Sequence, residues 1–176
     1  MNKVEIKARL EESYDVFLKY TQQLSQDEYE YAPKGKWNAG EQTLHLIKSV
    51  KPVAKGLAMP KFLIKYNFGQ ANRPSRDYDG LVARYQRGLA ENPGIAPKAY
   101  APARVTQKQS VELDKKLRGY IEAINSKLAK WSEEQLDQFV APHPLIGKIT
   151  FREVLYFTIY HAQHHQNQIK RYLKGV

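Results

Sequence analysis

Residues 156–169 read YFTIYHAQHHQNQI, and three of the chain's five histidines fall between positions 161 and 165. The stretch has the pattern of an amphipathic helix, which should open near Thr150 and reach about Leu173. At about 100° per residue, His165 lies about 40° round from His161 and one turn along. Val154, Thr158, Gln168 and Tyr172 share that side, which therefore reads as the inward face. His164 falls about 60° to the other side of His161. Imidazoles occupy positions where a small helical protein ordinarily buries leucine.

Three more helices precede this one. The first runs from about Val4 to Leu24, with Leu10, Tyr14, Phe17, Thr21 and Leu24 in an apolar stripe. The second opens at Lys36–Leu46, KWNAGEQTLHL, where Asn38 is the predicted N-cap and Glu41 closes a capping box. Its stripe is Thr43, Leu46, Val50, Val53 and Leu57, with Pro52 inside it and a kink expected there. The third runs from about Gln109 to Trp131, with Leu113, Leu117, Tyr120, Ile124, Leu128 and Trp131 on one side. The first and third connections are short. The second, holding Pro60, Pro74, Pro93, Pro97 and Pro102, is roughly fifty residues long, a length that is uncommon and often functional. Within it, DYDGLVARYQRGLA (77–90) has a short helical pattern. No β-alternation persists. The expected fold is all-α, a four-helix bundle with one long crossover between helices 2 and 3, in a single domain over residues 1–176.

Composition limits the chemistry. Without cysteine there is no disulfide, no thiolate ligand and no cysteine nucleophile. The N-terminal residues MNKVEIKARLEESYDVF carry charge throughout, and no segment approaches the ~20 apolar residues of a membrane span, so a cytoplasmic protein without membrane association is expected. The net charge of +10 is spread along the chain instead of gathered in a block, which argues for a basic surface and against nucleic-acid binding.

Histidines at i and i+4 on one face can direct two ring nitrogens at one metal ion. The same spacing is also common on solvated helices. A zinc-like site needs at least one further protein ligand. His45 is a candidate, although it lies about 100° from Leu46 and flanks its stripe. His143, in APHPLIG, reads as a loop histidine, and His164 as a residue that supports the ligands or is exposed, not as a ligand itself.

The combination of WNAGEQTLHL (37–46), HPLIGKIT (143–150) and HAQHHQNQI (161–169) resembles the DinB-like superfamily of metal-binding four-helix bundles. The resemblance covers the chain in helix order and loop lengths, with the long crossover in the corresponding place. It implies a divalent metal held by His45, His161 and His165. The crossover sequence 58–108 matches no pattern of the family.

An all-imidazole site suits zinc, nickel or iron, and it would bring the pKa of a bound water toward ~7. Around such a site Glu41 and Gln168 are candidates to steady the ligands, with Glu41 also the helix cap. Two functions follow as expectations. One is a metal-dependent enzyme acting on a small molecule, either a hydrolase or a small-thiol transferase, with its catalytic residues unassigned. The other is a non-catalytic bundle with a vestigial or structural metal site, binding a partner through its basic surface. The apolar residues of AMPKFLIKYNF (58–68) suit a homodimer interface or a lid over the site.

Overall fold

The computed structural model describes residues 1–93 and 99–175. Pro97, one of the crossover prolines, lies outside them. Helices dominate: α1 (Lys3–Gln22), α2 (Gln26–Glu30), α3 (Ala39–Ala58), α4 (Lys61–Phe68), α5 (Tyr78–Glu91), α6 (Ser110–Leu128), α7 (Glu133–Gln138) and α8 (Phe151–Leu173). The fold is all-α, as expected, apart from one small addition. Strands β1 (Val140–His143) and β2 (Gly147–Thr150) form an antiparallel hairpin with Val140 opposite Thr150 and His143 opposite Gly147. At four residues per strand the alternation is too short to register as a sequence pattern. Gly147 takes φ +78°, a conformation that glycine adopts without steric cost at the end of a three-residue loop.

The four long helices anticipated from the sequence are present. α1 packs on α8 and α6, and α3 packs on α6 and α8. Their inner faces meet in one apolar core that includes Leu10, Phe17, Leu46, Val50, Leu117, Ile124, Leu155 and Ile159. Trp131 is fully enclosed against Phe151, and its indole N–H donates to the Leu57 carbonyl (2.9 Å), so its one polar atom is satisfied. Helix starts follow local chemistry. Asn38 Oδ1 accepts from the Glu41 N–H while Glu41 Oε2 accepts from the Asn38 N–H, both at 2.8 Å. Thr150 and Glu153 repeat the exchange at the start of α8. α3 runs through Pro52 as one helix.

The crossover does more than connect. α4 lies against β1, burying Ile64 and leaving Phe62 and Tyr66 exposed. α5 packs along α8. The chain then returns beside α3: the Lys48 ammonium donates to the Ala101 carbonyl, and Asn38 Nδ2 donates to the Val105 carbonyl (2.9 Å). Gly40 permits this close return, because a Cβ there would meet Val105 Cγ1 at 2.5 Å and Tyr29 Cε1 at 2.7 Å. None of the described helices is long and apolar enough to cross a membrane.

Candidate metal centre

His45 comes from the second turn of α3, and His161 and His165 from successive turns of α8. All three are buried, with exposures of 8, 4 and 4%. Their Nε2 atoms converge. His161 Nε2 is 3.0 Å from His165 Nε2 and 3.3 Å from His45 Nε2. Among the described residues this is the one group of three potential ligands gathered within 4.8 Å of one another. His45 faces this group despite its offset from the Leu46 stripe; α3 packs chiefly on α6, with α8 a lesser neighbour.

The outer nitrogens decide what the inner ones can do. His45 Nδ1 lies 2.9 Å from the Tyr100 carbonyl oxygen, an acceptor only, so this nitrogen carries the proton. His165 Nδ1 lies 2.8 Å from Gln42 Oε1. The Gln42 amide nitrogen donates to the Trp37 carbonyl (3.1 Å), which fixes the oxygen end toward the histidine. Both imidazoles are neutral donors at Nδ1, so both Nε2 atoms present lone pairs to the same gap. His161 Nε2 has at most one proton to offer. At least one lone pair therefore faces another acceptor, a repulsive arrangement in a buried site unless a cation stands between them.

The spacing fits a cation. Nitrogens about 2.0–2.1 Å from one tetrahedral ion stand about 3.3 Å apart, close to the observed separations. Burial pulls all three histidines below the ordinary imidazole pKa, most strongly His161 and His165, where the neighbouring histidines add to it; at His45 the Tyr100 hydrogen bond works against the shift and the Lys48 charge adds to it. The unprotonated form that a metal requires is thus the resting form near neutrality. Trp37 covers the cluster, its ring 4.9 Å from that of His45 and 6.5 Å from that of His165.

A family model described as the DinB superfamily matches residues 9–169. The chain belongs to the DinB superfamily. No curated protein and no solved structure matches it significantly. The buried group of His45, His161 and His165 lies within the matched range.

Other sequence expectations resolve differently. Glu41 caps α3 and faces Arg104 (3.6 Å) instead of steadying His45. Gln168 does not reach the cluster; its amide donates to His164 Nε2 (2.7 Å). The groups that hold the ligands, Gln42 and the Tyr100 carbonyl, went unassigned in the sequence. Gln42 sits inside the quoted WNAGEQTLHL segment and one turn before His45, which is a usable signal. A backbone carbonyl from a distant segment leaves none.

His143 is no simple loop residue. It ends β1, and its Nδ1 accepts from the Leu145 and Ile146 N–H groups (3.2 and 3.4 Å), closing the hairpin turn. Burial pushes its pKa down to about 4. The unfolded chain, with an ordinary value near 6.5, therefore binds a proton between pH 6.5 and about 4 that the folded chain refuses. Stability from this group is intact above pH 6.5 and falls as pH drops through that window, by about 3 kcal/mol in all. Urea unfolding of metal-free protein at pH 7 and pH 5 should show the loss. His143→Asn keeps an acceptor for the turn and removes the titration, so its curve should be flatter over the same interval.

Proposed function

We propose that this protein is a divalent-metal enzyme whose ion is held by the Nε2 atoms of His45, His161 and His165, acting on a small molecule by hydrolysis or by transfer of a small thiol to an electrophile. The observation that carries the reading is the pair of proton-donating Nδ1 atoms, on His45 and His165, which turns two lone pairs toward one point beside His161. Zinc, nickel and iron all suit three imidazoles.

Such an ion, when bound, supplies a positive charge that lets a water or thiol lose its proton near neutral pH. The chain's own residues supply orientation and desolvation. Gln42 and the Tyr100 carbonyl hold two rings in the tautomer that offers Nε2. Trp37 excludes water from the flank of His45 and His165. Low exposure of the rings strengthens every charge interaction at the site.

Protein purified without chelator should carry one divalent ion per chain. Hydrolysis of an activated ester and transfer of a small thiol to an activated electrophile should then be compared with the ion present and removed. Activity restored by the ion supports the reading; stoichiometric ion with neither activity points to the structural alternative. Gln42→Ala should weaken the metal about 10- to 100-fold, measured by competition with a chromophoric chelator, because His165 loses the acceptor that fixes its tautomer.

A further inference from the structure

The three histidines are not held alike. His45 and His165 each place Nδ1 in a hydrogen bond, and so do the flanking pair in their own way, His143 through Nδ1 and His164 through Nε2. His161 is the exception: its Nδ1 is buried and has no hydrogen-bond partner among the described residues. Among the described residues, no hydrogen bond outside the cluster sets the rotation of its ring about the Cβ–Cγ bond.

Aromatic rings surround it instead. Phe157, one turn earlier on α8, packs against it with centroids 4.6 Å apart and planes tilted by 31°. Tyr85, from α5 of the crossover, presents its ring edge-on at 6.3 Å and 79°. Tyr85 is only 6% exposed and is itself wedged among Phe157 (5.0 Å), His143 (5.9 Å) and His164 (5.9 Å). Edge-to-face aromatic contacts of this kind carry geometry as well as area.

We propose that Tyr85 and Phe157 are positioning residues for the metal centre, fixing the His161 ring by aromatic packing where the other two ligands are fixed by hydrogen bonds. The inference rests on the metal reading above and deepens it. It also assigns a task to the crossover: α5 carries Tyr85 to the one ligand that lacks a polar anchor. The contacts are made by the tyrosine ring, so the hydroxyl is dispensable for this role.

Cobalt(II) tests this directly, since its visible absorption reports both affinity and ligand geometry. Titrations of the metal-free protein should compare wild type with Tyr85→Phe, Tyr85→Leu and Leu81→Ala. Leu81 is a fully buried residue of the same helix, so its truncation reports loss of α5 packing on its own. Tyr85→Leu should weaken cobalt about 10- to 100-fold and change the band shape, Tyr85→Phe should stay within about threefold, and Leu81→Ala should keep the wild-type spectrum. Phe157→Leu, at a half-buried position, gives the same readout should Tyr85→Leu not fold. Wild-type affinity and spectrum in the leucine variants would overturn the proposal, as would an equal loss in Leu81→Ala. If wild type itself takes up no cobalt, the metal reading fails and this one with it.

Discussion

His161→Ala is expected to leave the protein folded and nearly free of metal, with affinity down about 10²–10³-fold. The magnitude follows from the donor set. A structural zinc site is worth about 10–16 kcal/mol over four ligands, so each ligand accounts for about 2.5–4 kcal/mol, and each 1.4 kcal/mol is a factor of ten. His161 stands between the other two, at 3.0 and 3.3 Å, so its loss removes the middle ligand and leaves two imidazoles to hold the ion. The metal-free fold should tolerate the change, because truncation also removes a buried nitrogen that has no partner among the described residues. Equilibrium dialysis against zinc, with far-UV circular dichroism as the control, checks both halves.

Glu153→Ala should be strongly destabilising. The carboxylate is fully buried and accepts five hydrogen bonds: from Arg73 Nη1 and Nη2, from the backbone N–H and Nη1 of Arg76, and from the Thr150 N–H, all between 2.9 and 3.0 Å. It thereby caps α8 and ties the segment before α5 to the start of α8. Breaking a buried pair costs about 3–5 kcal/mol, but both arginine side chains are 34% exposed and can rehydrate, so the lower end, about 3 kcal/mol, is expected. Acid should act through the same group. Burial works to raise its pKa, and the hydrogen bonds from Arg73, Arg76 and Thr150 outweigh that and hold it below the ordinary value. Its contribution is complete above pH 4.5 and is lost as pH falls through the lowered folded-state value. Urea midpoints at pH 7 and at pH 3.5 should differ less in the variant than in wild type.

Much of this was legible in the residues. Leu10, Tyr14, Phe17, Thr21 and Leu24 are buried as their spacing requires, and Asn38–Glu41 forms the capping exchange its spacing announces. The i, i+4 pair on α8 was readable for the same reason: helical periodicity is local, so it survives in sequence. His45 was harder, since its direction depends on where α8 crosses α3, a tertiary fact. The hairpin escaped because two four-residue strands leave no lasting alternation. Tyr100 and Tyr85 were illegible as partners of the site: one contributes only a carbonyl, the other sits on a crossover whose path depends on the buried Arg73–Glu153–Arg76 pairing.

The most direct measurement is X-ray absorption at the zinc edge of protein loaded with one equivalent of zinc, together with the His45→Ala variant. Convergence of the three imidazoles predicts a first shell containing three nitrogens at about 2.0–2.1 Å with the outer scattering of intact rings, reduced to two in the variant. A first shell with no imidazole scattering, or a spectrum that does not change when position 45 is alanine, would contradict it.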